Sequence, residues 1–142
     1  MSKFRSDFII NSSSSCFVIT KNKHHIITKD LTVDKLKKIL SIMLKCHNDI
    51  YSENKKYEEV FGYVDTPDKE KSKNAFEESY WDGNSFIDCI DEDDFDDSNR
   101  ITYLDEVMKN DFVIFSKDDN TIPWDVRNNI ETVLNATRYH LG

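Results

Sequence analysis

The chain has 142 residues, of which 38% are hydrophobic, and a formal net charge of −8. One domain of this length can bury a core, because nine Phe, six Tyr and two Trp offset the modest apolar fraction. No apolar run approaches the ~20 residues that cross a bilayer, and the basic N-terminus lacks the apolar stretch of a secretory signal, so a cytoplasmic protein with no membrane partner is expected.

Phe4 to Ile10 reads as a first strand, and Cys16 to Thr20 as a second across the polar Asn11–Ser15 break. Lys21-Asn22-Lys23 reads as a turn, and His24 to Thr28 as a third strand. Thr32 is placed to cap a helix, with Asp34 in its first turn. Leu36, Ile39, Leu40, Met43, His47 and Ile50 then recur every three or four residues, which predicts a helix over 33–52. Lys35, Lys37, Lys38 and Lys45 fall away from that stripe, as a solvated face does.

A helical turn is expected over 55–61, stopped by Gly62 in the C′ role. Pro67 is expected to open a polar helix or linker running to Tyr80, and residues 53–73 read as the chain's flexible stretch. Ser85 to Ile90 reads as a strand. A short helix then runs through 101–109 with Leu104 and Met108 inward. Phe112 to Phe115 is continuously apolar, like a central strand buried on both faces. Pro123 opens a last helix with Trp124, Ile130, Val133 and Leu134 inward, and 137–141 reads as a terminal strand. The fold class is therefore α+β. One mixed sheet is expected, built from an N-terminal meander, one long helix and a C-terminal β-α-β-α-β stretch. The terminal strand is expected to pair with the N-terminal hairpin in that one sheet.

Charge is divided unevenly. Residues 1–56 hold 11 Lys and Arg against 5 acids, and residues 57–142 hold 8 against 22. Within the acidic half, residues 82–119 hold 13 acids against Arg100, Lys109 and Lys117. The run Asp91, Glu92, Asp93, Asp94, Asp96, Asp97 is the candidate protein-binding surface, and its expected partner is a protein with a basic surface. Such a surface argues against direct nucleic-acid binding by the same face.

Residues 94–105 also carry oxygen ligands with the spacing of a calcium loop. Asp94, Asp96, Ser98, Thr102 and Asp105 stand at its first, third, fifth, ninth and twelfth positions. Asn99 replaces the usual Gly, and Asp105 shortens the reach of the usual Glu. Two readings stay open: a Ca²⁺ or Mg²⁺ site, or a solvated loop in which Asp97 or Ser98 caps the next helix. No cofactor is otherwise expected.

No catalytic motif stands out. His24, His25, His47 and His140 lack metal-pair spacing, and His47 reads as a satisfied core or boundary histidine. Cys16, Cys46 and Cys89 lack CxxC spacing and read as free buried thiols. The Ser12–Ser15 run reads as a structural hairpin loop. A small enzyme of unrecognised type remains an alternative, behind a binding module and an ion-stabilised domain.

The opening Phe4-Arg5-Ser6-Asp7-Phe8-Ile9-Ile10-Asn11-Ser12-Ser13-Ser14-Ser15-Cys16-Phe17 resembles that of many short uncharacterised proteins of Gram-positive bacteria and their phages. These begin roughly R-x-D-F, a hydrophobic residue, x-N-S-S-S-S-S-F. The closing Ala136-Thr137-Arg138-Tyr139-His140-Leu141-Gly142 is similar to the end of some of them. The resemblance implies a phage or Gram-positive host gene, hence host cytoplasm for a phage product, and a partner encoded by host or phage. It implies no activity.

Overall fold

The computed structural model describes residues 15–80, 105–116 and 119–140. The expected strands at 4–10 and 85–90, and the start of the helix at 101–109, lie outside them. Four strands form one sheet: β1 (Ser15–Ile19), β2 (Tyr63–Asp65), β3 (Phe112–Ser116) and β4 (Thr137–His140). Their order is β2-β3-β1-β4, and every neighbouring pair is antiparallel. The helices are α1 (Val33–Tyr51), α2 (Tyr57–Val60), α3 (Lys69–Tyr80) and α4 (Trp124–Val133), with a 3-10 turn at Asp119–Thr121. Residues 105–108 are also helical.

The mixed sheet read from the sequence is thus an antiparallel one, for a topological reason. β3 and β4 do run in the same direction, as β-α-β alternation implies, but β1 lies between them and antiparallel to both. β1 and β2 are likewise separated by β3. The chain order β1-α1-β2-β3-α4-β4 with this strand order is the split β-α-β connectivity of ferredoxin-like sheets.

One face of the sheet carries Phe17, Ile19, Val64, Phe112 and Ile114, packed in a single cluster with Leu36, Leu40 and Leu44 of α1 and Val126, Ile130 and Leu134 of α4. Helix α1 forms because its apolar stripe has helical period and because Thr32 caps it, its Oγ1 accepting from the Lys35 amide at 3.2 Å. Ser52 ends it in the left-handed region at φ 56°. The opposite face carries Cys16, Val18, Val113 and Phe115, which are also buried. On that side Tyr63 stacks on Phe115 at 5.5 Å, the Tyr63 and Ser72 hydroxyls are 2.9 Å apart, and Tyr139 donates to Glu106 at 3.3 Å. Helix α3 and the 105–108 turn therefore lie on the second face. This double covering is why Phe112–Phe115 reads as continuously apolar.

Several expectations are corrected. Residues 24–28 form turns instead of a strand: His25 accepts from the Ile27 and Thr28 amides through Nδ1, at 3.2 and 3.1 Å, which closes the chain locally. Helix α3 opens at Lys69 and not at Pro67, with the Asp68 side chain accepting from the Lys71 amide at 2.9 Å. Gly62 does not end α2 in a left-handed turn, since no glycine has positive φ among the described residues. It lies against β3, donating to the Phe115 carbonyl at 2.6 Å, and an added Cβ would meet Phe115 at 2.9 Å. Met108, Trp124 and Ile50 are exposed, while Val107 and Val126 take the inward positions. Cys16 is buried as expected, but Cys46 is exposed, on the flank of α1 outside its Leu36/Leu40/Leu44 stripe.

Candidate functional site

The acidic run 91–97 and all but one residue of the 94–105 oxygen loop lie outside the described residues. Asp105 is described; it is exposed and helical, its carbonyl accepting from the Lys109 amide at 3.2 Å. The flanks of this segment are both placed. Helix α3 enters and residues 105–108 leave on the second face of the sheet, so the acidic segment belongs to the connection from β2 to β3. Those two strands are hydrogen-bonded antiparallel neighbours, which a two-residue turn can join. Here residues 66–111 join them instead.

Two further clusters are assembled from distant residues. The first centres on His47 in the last turns of α1, only 6% exposed. Its Nδ1 lies 2.7 Å from Asp125 Oδ1, in the first turn of α4, and its Nε2 lies 2.9 Å from Glu53 Oε2, just past the end of α1. Tyr51 packs on the ring at 4.8 Å. An ionised carboxylate only accepts, so both contacts are hydrogen bonds together only when both ring nitrogens carry protons. The two carboxylates sit on opposite sides of the ring and do not converge on one point, and among the described residues no three His, Cys, Asp or Glu side chains are gathered for a metal. The cluster is a clamp between α1 and α4. Nothing in the sequence marked Asp125 or Glu53 as partners of His47; the only signal was a polar residue on an apolar stripe, which must find partners when buried.

The second is a groove of about 440 Å³ where β1 leaves the sheet and β4 enters it. Lys21, Asn22, Lys23, His24, Asn135 and Thr137 line it. A smaller groove of about 330 Å³ runs beside the β2 edge, between Lys37, Tyr57 and Lys71. Here Lys71 bonds Asp65 at 2.7 Å and holds its carboxyl below the usual range. Burial pushes the Tyr57 phenol up to about 12, and its Oη is enclosed with no hydrogen-bond partner among the described residues.

No protein-family model, curated protein or solved structure matches the chain.

Proposed function

We propose that the protein is a non-enzymatic binding module that presents an acidic insertion to a basic surface on another protein. The carrying observation is where the charge sits. Residues 66–111, the connection that the sheet does not need, hold 15 acids against 5 Lys and Arg, a balance of −10. The rest of the chain holds 12 acids against 14 bases, a balance of +2. The net negative charge of the protein is therefore confined to one insertion, the frame around it being close to neutral. Long connections of this kind usually serve function more than folding. Asp91, Glu92, Asp93, Asp94, Asp96 and Asp97 are its densest stretch. In a phage product, a surface with phosphate-like charge density suits the nucleic-acid groove of a host protein.

The test is capture from a Gram-positive cell lysate by immobilised protein. Wild type should retain basic nucleic-acid-binding proteins at low salt, releasing them as salt rises and on addition of DNA, because exposed charges are screened within about 8–10 Å at physiological ionic strength. A variant with the six acids changed to Asn or Gln should not retain them. Equal capture by both proteins refutes the reading.

The oxygen spacing of Asp94, Asp96, Ser98, Thr102 and Asp105 supports a second reading, in which Ca²⁺ or Mg²⁺ is held in the same insertion. A ligand at 100 times its dissociation constant adds about 2.7 kcal/mol to stability. Melting unchanged between saturating Ca²⁺, Mg²⁺ and EDTA refutes it.

A further inference from the structure

We propose that the groove between the exit of β1 and the entry of β4 binds a small molecule through its phosphate groups. Its volume of about 440 Å³ is that of a small-ligand site, for which ~300–1,000 Å³ is usual. Apart from Val18, the described lining residues are polar. Lys21 and Lys23 bring two ammonium groups and His24 an imidazole, and Asn22, Asn135 and Thr137 bring amides and a hydroxyl. None of the described lining residues is an acid, in a chain where acids outnumber Lys and Arg 27 to 19. A concave surface that collects donors and excludes carboxylates is what phosphate oxygens require.

The walls are fixed before any ligand arrives. The Thr20 hydroxyl donates to Asn110 Oδ1, and Asn110 Nδ2 donates to the Glu106 carbonyl. The Lys21 amide donates to the Asp111 carboxylate at 2.9 Å, and the Asp111 amide to the Ile19 carbonyl at 3.0 Å. The Asp111 carboxylate beside Lys21 is thus engaged by main chain. The His24 amide donates to Asn22 Oδ1 at 2.9 Å, so the Asn22 Nδ2 amide is the end left to donate. Asn135 holds a left-handed conformation at φ 53°, which Asn adopts more readily than most residues. Such local order lowers the entropy cost of binding.

The same phosphate chemistry comes from a free metabolite or from the backbone of a nucleic acid. Residues 66–111, with their balance of −10, reach the groove wall through Glu106, Asn110 and Asp111, and an extended polyanion stays within the field of more of that charge than a compact ligand does. The proposal is therefore a free phosphorylated small molecule. It is independent of the acidic insertion's partner.

Calorimetric titration of the full chain at low salt tests it, with inorganic pyrophosphate, adenosine diphosphate and a short single-stranded oligonucleotide as probes. Saturable binding of pyrophosphate or the diphosphate is expected, weakened about tenfold or more in Lys21→Ala and in Lys23→Ala. Lys45→Ala, which removes an equal charge paired with Asp49 on the outer face of α1, should bind as wild type does. No saturable binding into the millimolar range overturns the proposal. Equal weakening by Lys45→Ala overturns it too, since the effect is then net charge and not a site. Tighter binding of the oligonucleotide than of either small probe overturns the free-metabolite assignment.

Discussion

Replacing His47 by Leu removes both of its carboxylate contacts while keeping an apolar side chain in a place that is only 6% exposed. A hydrogen bond to a charged group nets ~1.5–3 kcal/mol. Both carboxylates reach solvent, Asp125 with 33% of its side chain exposed and Glu53 with 43%, so each bond belongs at or below the bottom of that range. The Leu variant should therefore lose about 2 kcal/mol in all, part of which apolar burial at the same position returns. Because Asp125 and Glu53 remain hydratable, no stranded buried charge adds to the loss. The sharper quantity is the coupling. In a cycle of His47→Leu, Asp125→Ala and the double variant, the double should be less destabilised than the sum of the singles by about 1 kcal/mol. Urea unfolding followed by circular dichroism measures all four proteins. Additivity within ~0.3–0.5 kcal/mol would mean that His47 and Asp125 do not interact in solution, and the clamp between α1 and α4 would be refuted.

Two substitutions and one truncation also probe the frame. Tyr57→Phe deletes a hydroxyl enclosed without a partner and should stabilise the protein by ~1 kcal/mol, read as a higher Tm; a loss would show that the hydroxyl is bonded. Since the folded phenol titrates near 12 against an ordinary 10, the folded state holds that proton longer. The wild type therefore keeps this contribution below pH 10 and loses it as pH rises from there towards 12; Tyr57→Phe should flatten that part of the stability profile. Gly62→Ala should cost ~1–3 kcal/mol, because its Cβ meets the Phe115 ring and carbonyl; an unchanged urea midpoint would show that β2 gives way freely. Deleting residues 137–142 strips β1 of one hydrogen-bonded neighbour and should lower Tm by at least several degrees, at roughly 2–8 °C per kcal/mol; an unchanged Tm would mean that β4 is dispensable.

Local pattern and long-range pairing were legible to different degrees. Helix α1 was readable almost to the residue, because a capping Thr32 and a stripe of period 3.6 are both local signals. β3 was readable as a central strand, because burial on both faces leaves Phe112–Phe115 continuously apolar. That the terminal strand shares a sheet with the N-terminal hairpin was legible in the alternation of Arg138 and His140 with Tyr139 and Leu141, and β4 pairs with β1, the part of that hairpin among the described residues. β2 was not legible: three residues, Tyr63–Asp65, are too few for a period to show, and long-range contacts fix them, namely pairing with β3 and the approach of Gly62 and Tyr63 to Phe115. The His24–Thr28 stretch misled because Ile26, Ile27 and Thr28 favour strands, whereas the Nδ1 of His25 offered the backbone a turn. Strand direction was misjudged because alternation of helices and strands reports direction, not adjacency. The candidate sites were less legible still: His47, Glu53 and Asp125 meet only through tertiary packing, as do Lys21, Asn110 and Thr137. What composition did expose was the charge division, and the topology gives it meaning by placing it in a connection that could have been a tight turn.

The most direct test of that meaning is the salt dependence of binding to a basic partner recovered by the capture experiment. Dissociation constants for wild type and for the variant with Asp91, Glu92, Asp93, Asp94, Asp96 and Asp97 changed to Asn or Gln would be measured from about 50 to 500 mM salt, a range over which the screening length falls from above 10 Å to a few Å. The account predicts a steep loss of affinity with salt for wild type, and for the variant both weaker binding at low salt and a much flatter dependence. Equal affinities and equal slopes would contradict it, and would place the binding surface on the frame instead of the insertion.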